Sequence, residues 1–329
     1  MRGRSTTPLT EPSVARVFVT RVLPEGGLDP LVGSGHEIVQ RHDDTPYSHD
    51  ELVDAAADAD AVVCLLTDRI DRSALSAGAA GRLKVVGNVA VGYDNIDIPA
   101  ATELGIAVCN TPGVLDETTA DLAFLLILAA CRLGWEAQRD LRAGWEGWGI
   151  NQYLGRDVHG ATLGLVGYGR IGAAVARRAS EGFGMKVLHH TRRATGLPGY
   201  TESLDDLLAN SDIVSLHVPL NDSTRHLIGR RQLGLMPRHA VLVNTARGPV
   251  VDEEALAEAL HDGSIFGAGL DVYEHEPAVH PRLLTAPRTV LLPHIGSATL
   301  ATRSRMAQMA CEGVCAVLDG RRPANLVTT

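Results

Sequence analysis

Thr162-Leu-Gly-Leu-Val-Gly-Tyr-Gly-Arg-Ile-Gly172 decides how the rest of this chain is read. Its first five residues form an apolar, strand-like run, and the next six carry the spacing Gly-x-Gly-x-x-Gly. Residues 171–180 then follow a helical pattern, so the glycines sit in a strand–turn–helix context. The three glycines do different things there. Gly167 permits the tight turn, Gly169 lets a pyrophosphate approach the backbone, and Gly172 lets helix pack on strand. The helix start, with Arg170 and Ile171, offers free N–H groups and a partial positive charge to phosphates.

Working outward, apolar runs at 186–189, 213–216, 240–243, 267–270 and 289–292 alternate with amphipathic segments. With 162–166 they make six strands joined by helices, which predicts a complete dinucleotide-binding sheet. Upstream, 16–20, 61–65, 84–86 and 106–108 read as buried strands, and 48–57 and 73–80 read as helices. Parallel strands need covered crossovers, so this part is a second βαβ unit. The longest helical pattern, 117–141, has Asp116 or Thr118 as N-cap candidates and apolar faces that suggest burial between domains. A last amphipathic helix, 299–318, is expected to pack back on the first domain. The predicted fold is therefore α/β, with a Rossmann-type doubly wound parallel sheet (109–295) inserted into a smaller flavodoxin-like βαβ domain (14–108 and 296–329). Residues 1–13 are polar, lack an apolar core, and read as a loose, disordered tail rather than a signal peptide.

Composition narrows the function. The 329 residues are 45% apolar and carry a formal net charge of -9, with no long Lys/Arg run. Nucleic acid and membrane surfaces are thus poor partners. The longest purely apolar run, 122–131, is far short of the roughly 18 residues a membrane span needs. Five cysteines, an odd number without CxxC spacing, predict neither a disulfide framework nor a metal site, and suit a reducing cytoplasm.

The second strand of a dinucleotide-binding sheet usually ends in an acid that holds the ribose 2′-hydroxyl. Here the chain reads His189-His-Thr-Arg-Arg193, with no Asp or Glu before Glu202. A 2′-phosphate would be attracted by Arg192, Arg193 and the Thr191 hydroxyl, so NADP is the expected cofactor and NAD the alternative.

Three stretches just past strand-like runs complete the reading: Asn244-Thr-Ala-Arg-Gly248, Asp271-Val-Tyr-Glu-His-Glu-Pro277 and Pro293-His-Ile-Gly-Ser-Ala-Thr299. Reduction of a 2-keto acid needs a grip on the carboxylate, a polarised carbonyl and a proton for the developing alkoxide. Arg247 offers a planar fork for the oxygens. His294 is the natural proton donor near neutral pH, and a neighbouring carboxylate would favour its imidazolium form. Glu274 and Glu276 are both candidates for that carboxylate.

These stretches, with Asn88-Val-Ala-Val-Gly-Tyr-Asp-Asn-Ile-Asp97 and Asn110-Thr-Pro112, resemble the D-isomer-specific 2-hydroxyacid dehydrogenases over nearly the whole chain after the tail. The resemblance implies that Arg247 binds substrate, that Glu276, immediately before Pro277, orients the histidine, and that His294 is the acid/base. It implies backbone contacts from Val91 and Gly92 to the substrate carboxylate, and places Asp271 near the nicotinamide. The discontinuous domain becomes the substrate-binding one. The remaining expected cofactor contacts are Val218, Pro219, Thr224, Thr245, Ala246 and Gly296.

Within the family the chain looks most like the glyoxylate/hydroxypyruvate reductases. Cys64-Leu-Leu-Thr-Asp68, the Thr191-Arg192 pair and Trp145-Glu-Gly-Trp148 carry that likeness. In similar reductases this Trp pair belongs to a dimerisation arm whose second Trp reaches the partner's active site, so a homodimer is expected, with Trp148 as a substrate contact. Two other readings remain: an NAD-dependent D-2-hydroxyacid or 3-phosphoglycerate dehydrogenase, and a non-catalytic dinucleotide sensor like the corepressors of this fold.

Overall fold

Short runs of Val, Ile, Leu and Ala build the strands of two parallel sheets in a computed structural model that describes residues 14–328. The expected tail, 1–13, lies outside the described residues. The described residues divide into two compact units, 14–114 with 299–328, and 115–298. These bounds fall six residues after and three residues after those read from sequence.

In the first unit, β1 (Arg16–Val19), β2 (Glu37–Gln40), β3 (Ala61–Cys64), β4 (Val85–Asn88) and β5 (Ala107–Cys109) pair in parallel in the order β2-β1-β3-β4-β5. That order is the flavodoxin-like one. β3 and β4 are buried along their whole length, as strands covered on both faces must be. β2 escaped the sequence reading because it is a half-exposed edge of four residues with a polar residue at each end. Helix Leu300–Leu318, capped by the Thr299 side chain, lies on this sheet. A Cβ at Gly87 of β4 would come within 2.8 Å of Val314 Cγ2 and 3.1 Å of the Ala310 carbonyl oxygen.

In the second unit, β6 (Thr162–Val166), β7 (Lys186–His190), β8 (Ile213–Leu216), β9 (Val241–Asn244), β10 (Gly267–Leu270) and β11 (Thr289–Leu291) follow the order β11-β10-β9-β8-β6-β7. Tyr200 adds one parallel bridge to His189 outside β7. That single bridge stands where a dinucleotide-binding sheet carries its edge strand. Side chains alternate between two cores. Val241 and Val243 face Leu126, Ile127, Leu163 and Val175, whereas Leu242 faces Leu216, Ile228, Leu256 and Leu270.

The long helical pattern is two helices, not one. Asp116–Cys131 is packed against β9, β10 and β11, and neither Asp116 nor Thr118 caps it, because Leu115 holds the N-cap position without a side-chain bond. The break comes at Leu133, in left-handed conformation (φ 52°), before helix Gly134–Gly144. The returning chain at 155–156 explains the stop: the Arg156 N–H donates to the Cys131 carbonyl at 2.7 Å, and a Cβ at Gly155 would lie 2.2 Å from that oxygen. Among the described residues, no single helix is long and apolar enough to cross a membrane.

Candidate functional site

β6 sits where the strand order reverses, with β7 on one side and β8 on the other, and the crevice beyond such strand ends is the usual ligand position. Gly167 leaves β6 with φ 98°, and a Cβ there would meet the His217 carbonyl oxygen at 2.4 Å. A Cβ at Gly172 would lie 2.5 Å from the Gly167 carbonyl oxygen. Gly169 differs, since nothing lies within 4 Å of the place its Cβ would take. It is the N-cap of helix Arg170–Arg177, which starts without a side-chain cap, so the first-turn N–H groups face that open space.

Other expected cofactor residues surround this turn in sequence and sheet. Ile171 packs on the core, and Arg170 pairs with Asp116 at 3.3 Å. After β7, the Thr191 hydroxyl donates to the Arg193 carbonyl at 2.6 Å, while the Arg192 and Arg193 side chains are exposed. After β8, Val218 and Pro219 lead into a loop tied by Thr224, whose hydroxyl donates to the Pro219 carbonyl at 2.7 Å and accepts the Asn221 N–H at 2.9 Å. After β9, Thr245 carries a buried hydroxyl with no partner. An uncapped helix start, open space at Gly169 and an orphaned buried hydroxyl are what a dinucleotide would complete.

The Arg247 loop is held from below. Asn244, the last residue of β9 and 1% exposed, accepts the Ala246 N–H at 3.0 Å and donates its amide to the Arg247 carbonyl at 2.9 Å. The next residue, Gly248, lies flat on the 273–274 backbone: a Cβ there would fall 1.8 Å from the Tyr273 carbonyl carbon. Arg247 and the acidic stretch are thereby locked together through backbone contact.

That acidic stretch leads to the histidine. His294 Nδ1 lies 2.8 Å from Glu276 Oε2, and Glu276 Oε1 accepts the Tyr273 N–H at 3.0 Å. Burial acts to raise the Glu276 carboxyl. The hydrogen bond and charge of His294, the Tyr273 N–H and the Arg247 charge outweigh it, and the net effect holds the group below the ordinary Glu value. An ionised carboxylate can only accept, so Nδ1 carries the hydrogen and Nε2 is the ring position left for proton exchange.

His294 itself adopts φ 53°, and its N–H donates to the Asp271 carbonyl at 2.8 Å. The Asp271 carboxylate, 1% exposed, accepts the N–H groups of Ile295 at 2.7 Å and Gly296 at 2.8 Å. Burial pushes the Asp271 carboxyl up to about 6, against the pull of those donors and of His294. Thr119, on the buried helix, adds a hydroxyl donated to the Gly296 carbonyl at 3.3 Å.

The two glutamates between which residue chemistry alone did not choose, and of which the resemblance pointed to Glu276, have separate roles. Glu274 accepts the Glu253 N–H at 2.9 Å, and Glu253 accepts the Glu274 N–H at 2.7 Å. His226 also meets Glu274, at 3.1 Å. Glu274 is thus a brace between helix Glu253–His261 and the 271–277 stretch, and the partner of His294 is Glu276. Sequence reasoning passed over Asn244, Gly248 and Glu253, although an Asn closing a strand before Thr-Ala-Arg-Gly was the available signal.

In the first unit, Val91 and Gly92 lie in the loop that follows β4. Trp148 follows helix Gly134–Gly144 and is 76% exposed, within a run of exposed apolar side chains that includes Trp145, Ile150 and Leu154. Among the described residues, no group of three or more His, Cys, Asp or Glu could hold a metal ion.

Residues 124–296 match the family model of the D-isomer specific 2-hydroxyacid dehydrogenase NAD binding domain. The chain is 50% identical over 321 residues to a glyoxylate reductase of Korarchaeum cryptofilum, covering 95% of each. Among solved structures, a glyoxylate reductase from Paecilomyes thermophila is 35% identical with TM-score 0.84, covering 96% of this chain and 98% of that one. An NADPH-dependent glyoxylate/hydroxypyruvate reductase from Sinorhizobium meliloti, solved with NADP and malonate, is 33% identical with TM-score 0.85, over 96% and 97%.

Proposed function

Since the chain belongs to the D-isomer-specific 2-hydroxyacid dehydrogenase family, we propose that it is a reductase of the glyoxylate type that uses NADPH to turn glyoxylate or hydroxypyruvate into the D-2-hydroxy acid. One observation carries the reading: an imidazole braced by an ionised glutamate through Nδ1, in the same unit as the uncapped glycine turn. The nicotinamide, when bound, supplies the hydride to the carbonyl carbon.

The chain's own residues do the rest. Gly167, Gly169 and Gly172 cradle the pyrophosphate with the N–H groups of Arg170 and Ile171, and Thr191, Arg192 and Arg193 receive the 2′-phosphate. Val218, Pro219, Thr224, Thr245, Ala246, Asp271 and Gly296 line the remainder of the dinucleotide. Arg247 forks onto the substrate's carboxylate and carbonyl oxygens. The N–H groups of Val91 and Gly92 hold the same carboxylate. His294 gives its Nε2 proton to the carbonyl oxygen, while Glu276 holds the imidazolium in line. The products are one hydroxyl, one new C–H bond and a neutral imidazole. The second unit is then the dinucleotide-binding domain and the first the substrate-binding one.

The exposed apolar run around Trp145 and Trp148 supports a homodimer in which Trp148 limits substrate size in the partner's site. All five cysteines are free and buried, which supports a reducing, cytoplasmic setting.

A panel of 2-keto acids assayed with NADPH and with NADH tests the proposal. Turnover of glyoxylate or hydroxypyruvate is expected, faster at low cofactor with NADPH, and Arg192→Asp should move that preference toward NADH. Tight cofactor binding without turnover of any 2-keto acid would overturn it in favour of a dinucleotide sensor. An unmoved preference in Arg192→Asp would remove the phosphate-binding role of that arginine.

A further inference from the structure

The loop after β4 has a one-sided hydrogen-bond pattern. Its three successive carbonyls are all tied to the first unit. The Thr111 N–H donates to Ala90 O at 3.0 Å, the Asn110 side-chain amide donates to Val91 O at 2.8 Å, and the Asn88 side-chain amide donates to Gly92 O at 2.8 Å. The N–H groups of Ala90, Val91, Gly92 and Tyr93 have no acceptor among the described residues. Residues 89–91 are bent, and successive backbone N–H groups in a turn, left free while their carbonyls are bound, make a concavity suited to an anion.

The two asparagines are themselves immobilised. Asn88 is fully buried at the end of β4, and its amide also meets Asn95 Oδ1 at 3.3 Å. Asn95 in turn donates to the carbonyls of Leu65 and Asp68, both at 3.1 Å. Asn110 is gripped through its backbone by Asn325, whose side chain donates to Asn110 O at 2.7 Å and whose carbonyl accepts the Asn110 N–H at 3.2 Å. The final segment of the chain therefore reaches the loop through Asn110. A buried asparagine amide with such fixed partners acts as a clamp rather than as a solvated polar group.

We propose that Asn88 and Asn110 are positioning residues that hold the 89–93 loop by its carbonyls, so that its free N–H groups grip the carboxylate of the 2-keto acid. This rests on the reductase reading above and extends it to two side chains that touch no substrate. Removing one clamp lets the loop carbonyl turn, and the N–H groups lose their common direction.

The test uses the full-length enzyme with Asn110→Ala, Asn110→Asp and Asn88→Ser. The readouts are KM and kcat for glyoxylate, inhibition by oxamate as a carboxylate probe, NADPH affinity and thermal melting. Loss of one positioning hydrogen bond should raise KM and the oxamate inhibition constant together by about ten-fold, with kcat and NADPH affinity changed far less. Asn110→Asp sets a carboxylate against the Val91 carbonyl and should be worse than Asn110→Ala. Asn88 is buried, so should that variant not fold, the Asn110 pair decides alone. Folded Asn110 variants with unchanged KM and oxamate inhibition would overturn the clamp while leaving the reductase reading intact. A wild-type enzyme that reduces no 2-keto acid would overturn both.

Discussion

Replacing Gly248 with alanine tests how strictly the arginine and histidine elements depend on each other. The added Cβ would fall 1.8 Å from the Tyr273 carbonyl carbon, 2.0 Å from its oxygen and 2.4 Å from the Glu274 nitrogen. All three are backbone atoms, so no side-chain rotation relieves the overlap. Ordinary contact begins at 3.4 Å, and going from 1.8 Å to that distance displaces one segment by about 1.6 Å. The moving segments are the Arg247 loop and the stretch that ends in Glu276, three residues past Tyr273. A misplacement of about 1 Å costs on the order of a hundred-fold in rate, so Gly248→Ala should lose at least about a hundred-fold in kcat/KM. Overpacking should also lower stability by about 1–3 kcal/mol. The proposed phosphate cradle at 167–172 is untouched, while Thr245, Ala246 and Asp271 lie on the displaced segments, so NADPH affinity should fall far less than kcat/KM, by about ten-fold or less. Steady-state kinetics on glyoxylate, NADPH titration by fluorescence and thermal melting measure all three. A folded Gly248→Ala enzyme with near wild-type kcat/KM would refute the claim that backbone contact at 248 sets the spacing of Arg247 and Glu276.

Gly169→Ala should do the reverse: its Cβ meets nothing in the protein at ordinary φ, so melting of the cofactor-free enzyme stays unchanged while NADPH affinity falls sharply. Equal affinity in a binding titration would count against the pyrophosphate lying there. Glu276→Gln should narrow its stability gap from wild type in acid. The folded group lies below the ordinary Glu value, so its contribution is full above about pH 4.5 and is lost as pH falls through the lower folded value. Melting curves across that range check the sign, and a gap that is constant with pH contradicts the pairing. Asp271 should show the opposite slope. Its folded carboxyl, raised to about 6, keeps its proton while an unfolded Asp ionises near 3.9, so stability falls as pH rises between about 4 and 6. Asp271→Asn should flatten that part of the melting profile, and an unaltered slope assigns it elsewhere.

Much of this was legible in the residues because the informative patterns are local. All six apolar runs of the second unit became strands, with ends moved by a residue or so; 240–243, for example, became Val241–Asn244. Gly167 and Gly172 stand where a side chain cannot, which is why the glycine spacing read correctly as a turn between strand and helix. What stayed hidden depends on distant partners. The stop at Leu133 comes from residues 155–156 reaching back to Cys131, and within 117–141 only Gly134 hints at it, a weak signal because an isolated glycine is tolerated inside a helix. β2 and the Tyr200 bridge are edge features, too short and too polar to stand out from loops. Between Glu274 and Glu276, residue chemistry alone could not choose and only the family resemblance pointed to Glu276: two residues apart, they differ in what the fold presents to them, the Glu253 N–H in one case and the His294 imidazole in the other.

The candidate acid/base gets its geometry from the sheet rather than from the loops that carry it. β9, β10 and β11 are neighbours, and their ladder continues past the last strand residues. The Asp271 N–H donates to Asn244 O at 3.0 Å, the Leu292 N–H to Leu270 O at 2.9 Å, and the His294 N–H to Asp271 O at 2.8 Å. Asn244, Asp271 and His294 thus sit at or just past consecutive strand ends, with a register fixed by the buried residues of β9 and β10 and by Val290 of the edge strand β11. Their side chains then act sideways: Asn244 ties down the Arg247 loop, and Asp271 ties down 295–296. A slip of one strand by one residue would exchange core faces and at once break these bonds. The same hydrophobic pattern that selects the register therefore selects the relative placement of guanidinium, carboxylate and imidazole, and the strand ends need polar residues only to hand that register on to the loops.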